Sequence, residues 1–106
     1  VIDFDIALLT PFADRTDDQQ DELNVFGWTE ALGLIDAVVA GQGVGFEAAR
    51  RIVAAELASE IAANKAEIKR AARKRATRLD RTAAAAAGAR NLTLALIEGA
   101  IWDAAH

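Results

Sequence analysis

Hydrophobic and polar positions change their period along this chain. At the start, Ile2, Phe4, Ile6 and Leu8 alternate with Asp3, Asp5 and Ala7. A period of two is that of an extended segment, so residues 1–10 are expected to form a short N-terminal arm closed by Thr10-Pro11. A single strand cannot satisfy its own ladder, so such an arm lies across helices or adds to a neighbouring chain. From Thr16 the spacing turns helical. Thr16-Asp17-Asp18-Gln19 reads as a capping box, in which hydroxyl and amide satisfy backbone donors reciprocally, with Asp17 and Asp18 at the positive end of the helix dipole. This helix is expected to end near Gly27, and a second to carry Trp28, Leu32, Ile35 and Val39 on one stripe. Gly41, Gly43 and Gly45 then break the chain, so residues 11–45 read as acidic helices followed by a Gly-rich turn.

From Phe46 the pattern stays helical, with no Pro after Pro11 and no Gly between Gly45 and Gly88. Phe46, Leu57, Ile68 and Leu79 lie eleven residues apart, and Ile61, Ala72 and Ala83 repeat at the same interval. Eleven residues in three turns is about 3.67 per turn, close to a straight helix. The spacing predicts one helix over about 46–87, roughly 63 Å long, with those seven residues as its helix–helix interface. Gly88 is the expected terminator, and Asn91 the cap of a last helix over 90–105 bearing Leu94, Ile97 and Ile101 beside Trp102. The fold expected is a single all-α domain over 1–106, a helical hairpin or bundle built on one long Ala-rich basic helix.

Composition changes this picture in one respect. The apolar fraction is 53%, but 26 of those residues are Ala and only 30 are larger. Alanine favours helix because it loses no side-chain entropy there, yet it buries little surface. Between residues 62 and 91 only Ile68 and Leu79 are large and apolar. The stretch therefore projects, packs closely through Ala against another helix, or lies against a charged partner.

Charge divides the chain into halves. Residues 1–47 hold ten acids and only Arg15 as a base, whereas residues 48–106 hold eleven bases and six acids, within a total of −4. Lys65, Lys69, Arg70, Arg73, Lys74, Arg78 and Arg81 cover the broad face of the expected long helix, with Arg75 at the edge of the apolar stripe. A run of this kind is a solvated face or the footprint of something negative. No aromatic residue lies between 47 and 101, so base stacking is absent and nucleic-acid contacts there would be to phosphate.

Candidate chemistry is sparse. The chain has no Cys, a single His at position 106, no Tyr and a single Ser, Ser59. No nucleophile–base–orienter set can be assembled from these, and no His or thiolate metal site. Asp14, Asp17, Asp18, Asp21 and Glu22 lack the glycine and spacing of a calcium loop and read as a helix start. Gly41-Gln42-Gly43-Val44-Gly45-Phe46 approaches a dinucleotide-binding turn, but Phe46 stands where the last glycine belongs and only helix follows. The same turn suits a helix-turn-helix with Arg50 and Arg51 on its second helix. Three glycines and the length of that helix favour a plain helical hairpin instead. Asp3 and Asp5 are unlike the start of a signal peptide. The window Thr82–Trp102, interrupted by Arg90, Asn91 and Glu98, is a poor membrane span.

The expectation is a non-enzymatic structural or assembly protein without cofactor, metal or small-molecule substrate. It is expected to be homo-oligomeric or held with other protein subunits, cytoplasmic and away from membrane. High Ala and nine Arg against three Lys fit a bacterial or phage genome, where a virion or connector component would answer to this description. The alternative is a nucleic-acid-binding protein using the basic helix Lys65–Arg81 for sequence-independent phosphate contacts.

Overall fold

The structure, a computed structural model, describes residues 3–73 and 75–103. It is an all-α bundle. A short helix α1 (Phe4–Leu9) and a single 3-10 turn (Phe12–Asp14) lead into three helices of 26 residues each, α2 (Asp17–Gln42), α3 (Phe46–Ala71) and α4 (Arg78–Asp103). The molecule measures 47 × 34 × 20 Å. Its thinnest dimension is about two helix diameters, so any core must be thin.

The segment 4–9 is helical rather than extended, because Asp3 supplies an N-cap: its carboxylate accepts from the Ile6 N–H at 3.1 Å. Helical spacing turns Phe4, Ala7 and Leu8 inward, where they meet Leu23 and Leu96, while Ile6 and Leu9 face out. The Phe4 and Phe26 rings lie 4.8 Å apart. Arg15 holds this corner together, since its guanidinium donates to the Ala7 and Thr10 carbonyls at 3.1 and 3.0 Å. It thereby adds a second donor to the Ala7 carbonyl, which also accepts from the Thr10 N–H, and supplies one to the Thr10 carbonyl at the end of α1.

The capping box at Thr16 forms as the sequence predicts, with Gln19 N–H donating to the Thr16 hydroxyl at 3.1 Å and Thr16 N–H to the Gln19 side chain at 2.9 Å. The helix it opens does not stop at Gly27. Gly27 is buried where α2 crosses α4, and a Cβ built there would lie 2.8 Å from the Leu96 carbonyl oxygen. The glycine permits close approach and terminates nothing. The terminator is Gly43, in the left-handed region at φ 65°, whose N–H donates to Val39 O at 2.9 Å.

The expected helix over 46–87 is two helices. α3 ends at Ala71, and α4 begins at Arg78. A second capping box opens α4. The Thr77 N–H donates to the Asp80 carboxylate at 2.9 Å, and the Asp80 N–H to the Thr77 hydroxyl at 3.1 Å. Folding back has a physical reason. A straight helix would stack bases at i,i+4 spacing along 69–81 and leave Leu57, Ile61 and Ala87 without a partner. Instead α3 and α4 run antiparallel, with Asn64 donating to Asn91 at 2.8 Å and Arg90 to Glu60 at 3.2 Å. Neither Gly88 nor Asn91 marks a boundary, since both lie inside α4. Replacing Thr77 by Ala removes the hydroxyl acceptor at the start of α4. It is expected to lower the unfolding free energy by about 1 kcal/mol, while Thr77→Ser stays near wild type in a denaturant titration.

The main core joins all three long helices. Ile35 from α2, Val53 and Leu57 from α3, and Leu94, Ile97 and Ile101 from α4 are buried together with Ala31, Ala49 and Ala100. Among the described residues the core contains no buried polar or charged side chain.

Candidate functional site

Three surface features have the chemistry to engage a partner. The first is the end of the α3–α4 hairpin. Folding back brings Lys65, Lys69, Arg70 and Arg73 of α3 and its turn to the same end as Arg75, Arg78 and Arg81; Lys74 lies outside the described residues. Arg70, Arg73, Arg75, Ala76 and Asp80 border one shallow depression of about 270 Å³. Arg70 pairs with Glu67, and Arg81 donates to the Ala76 carbonyl at 3.2 Å. Asp80 sits among these bases with its carboxyl held below the usual range, chiefly by the hydrogen bonds from Thr77. It stays ionised and opposes an anion entering the depression.

The seven positions of the eleven-residue stripe are dispersed by the fold. Leu57 is buried in the core and Ile61 packs half-buried against it. Ala83 is half-buried, whereas Phe46, Ile68 and Ala72 are exposed. Leu79, at the basic end of the hairpin, is 81% exposed, more than any other large hydrophobic residue described.

The second feature is the outer side of α2. An 18-residue stretch of this helix has a mean hydropathy of 1.3, yet only 22% of it is buried. Among the described helices α2, and not the window 82–102, has the length and composition that a membrane crossing requires. Val25 is 66% exposed, and Trp28, Leu32 and Leu34 are each about two-fifths exposed, Trp28 beside α4 and Leu34 on the opposite flank. A helix apolar on several sides is normally covered on all of them.

The third is a cleft among the three long helices that no run of sequence announces. Its floor is formed by Val53, Leu57, Leu94 and Ile97 and its walls by Phe26 and Leu34, enclosing about 180 Å³. Glu30, Glu56 and Glu60 stand at its edge, with Arg90 paired to Glu60. These three acids come from two helices and lie up to 30 residues apart, so charge counting along the chain does not bring them together.

Arg50 and Arg51, the bases of the helix-turn-helix alternative, converge on Glu47 in the first turn of α3 at 2.6 and 3.2 Å. Hydrogen bonding from Arg50 is the largest cause holding the Glu47 carboxyl at about 2. Both arginines pair within α3; the Arg50 side chain is largely covered, whereas that of Arg51 remains 75% exposed. Compared with known proteins, the chain matches no protein family, no curated sequence and no solved structure.

Proposed function

We propose that this chain is a non-catalytic assembly protein that associates with copies of itself through surfaces its own fold leaves uncovered. The observation that carries this reading is α2, whose apolar stretch is largely exposed although it is one of the three helices that build the core. Contiguous exposed apolar surface rimmed by polar groups marks a protein-binding face in soluble chains. A protein suits this face better than a lipid surface does. No Lys or Arg occurs between Arg15 and Arg50, and the charges within the apolar part of α2 are Glu30 and Asp36. Anionic headgroups repel such a helix.

Sedimentation analysis of the whole chain from low micromolar to near-millimolar concentration tests this. A mass that rises above the 11.2 kDa of the single chain is the expected result. A single-chain mass throughout, in both low and moderate salt, overturns the proposal. Flotation with anionic vesicles separates a protein partner from a membrane.

The convergence of bases on the hairpin end favours a second reading, phosphate-backbone binding without sequence preference. It predicts duplex affinity that falls steeply with salt, with a slope reduced by about one for each contacting base removed. Changing Arg70, Arg73, Arg75 and Arg78 to Gln would then abolish binding while preserving helicity. No shift of any duplex at low salt ends this reading.

A further inference from the structure

Building on the assembly reading, we infer that copies of this chain associate head to tail, with Leu79 of one copy seated in the acid-rimmed cleft of the next. The match is one of size, polarity and charge. Leu79 is 81% exposed in the first turn of α4, where nothing in its own chain covers it. Arg75, Arg78 and Arg81 surround it in sequence, and none forms an ion pair among the described residues. The cleft offers the complement: an apolar floor, about 180 Å³ of space, and Glu30, Glu56 and Glu60 at its edge. An apolar cavity of about 150 Å³ admits a benzene ring, so this one admits a single branched aliphatic side chain. Glu30 and Glu56 likewise make no ion pair among the described residues, which leaves them free to meet incoming guanidinium groups.

The occupant is Leu79 of a second copy rather than of the same chain. Leu79 lies three turns of α4, about 16 Å, from Arg90 at the near edge of the cleft, and the rigid helix between them prevents it from folding into its own site. A protruding apolar residue on one part of a molecule and its receptor on another make a heterologous contact, which generates rings or open chains rather than an isologous pair. Interfacial anchors of this kind sit in desolvated pockets ringed by polar contacts, and the opposing charges speed encounter and fix orientation.

Two variants test the contact. Leu79→Asp breaks the protruding end. It leaves the fold intact because the position is exposed and an acid in the first turn of a helix is favourable. The double variant Glu30→Lys/Glu56→Lys breaks the receptor at two exposed positions. Circular dichroism and thermal melting establish that both fold. Each variant alone is expected to lose self-association by about thirtyfold or more in dissociation constant. Mixed together, the cleft of the first and the protruding end of the second are both intact, so the mixture is expected to form a one-to-one pair and nothing larger. Wild type itself continues beyond two copies into rings or chains, whereas an isologous contact stops at two, so loss of the larger species in the mixture is what marks the head-to-tail contact. If wild type associates and Leu79→Asp associates equally well, the head-to-tail contact is wrong, while assembly through another face, such as outer α2, stands. If wild type remains a single chain throughout, the assembly reading falls and this inference falls with it.

Discussion

Replacing Gly27 by Ala is expected to lower the unfolding free energy by about 1–3 kcal/mol, although in most helix interiors the same change stabilises by about 0.5–1 kcal/mol. The reason lies in what the added methyl would meet. Its carbon would stand 2.8 Å from the Leu96 carbonyl oxygen and 3.3 Å from the carbonyl carbon, with the Ala100 methyl at 3.7 Å. The first two are backbone atoms in the middle of α4 and cannot rotate aside, so the two helices must separate. Separation loosens Leu23, Ala31 and Ile35 together, because all four buried positions of α2 lie on the same face. Gly33 provides the internal control. It is in the same helix, and nothing lies within 4 Å of the position its methyl would take. Gly33→Ala should therefore stabilise, and in a domain of this size each kcal/mol moves the melting temperature by about 4–8 °C. Opposite shifts for the two variants are the expected result. If Gly27→Ala stabilises as Gly33→Ala does, the helices do not approach as described.

How far the fold could be read from the sequence depends on what each signal physically reports. The capping box at Thr16 was legible because its residues interact locally and need no tertiary context. The same signature at Thr77-Arg78-Leu79-Asp80 was equally local, but it lay inside a run whose helical spacing continued unbroken. Periodicity reports which face of a helix is apolar and is silent on whether the next turn continues straight or folds back. Both arms of a hairpin carry an inward stripe, so the two stripes joined into one apparent helix over 46–87. The glycines failed for a related reason. A glycine such as Gly27 or Gly88 can mark a helix end or a close approach, and only the opposing helix decides between the two. At the N-terminus, four alternating residues gave the period of a strand, while Asp3 as a cap and Arg15 as a clamp on the far end made the segment helical. The basic end of the hairpin was visible as a charge run. The acid-rimmed cleft was not, because it exists only once α2, α3 and α4 have packed.

Leu94→Ala is expected to remove about 2–5 kcal/mol, a large share of the roughly 5–15 kcal/mol that holds a domain together. Leu94 is completely buried at the point where all three long helices meet, among Ile35, Val53, Leu57, Ile97 and Ile101. The cavity cannot close easily, since Gly27 already holds α2 against the α4 backbone. That limits relaxation and places the cost in the upper part of the range. The rest of the hairpin gives the effect a direction. Beyond Ile61 on α3 and before Asn91 on α4, Ala87 is the sole residue described as buried. Amides there should exchange with solvent through local opening, whereas those beside Leu57 and Leu94 should exchange through global unfolding. Leu94→Ala should consequently accelerate exchange around Leu57 and Leu94 by orders of magnitude and leave the rates around Ile68 and Leu79 nearly unchanged. Equal acceleration in both regions would mean that the hairpin and the three-helix core unfold as a single unit, and that its alanine seam is as stable as the cluster around Leu94.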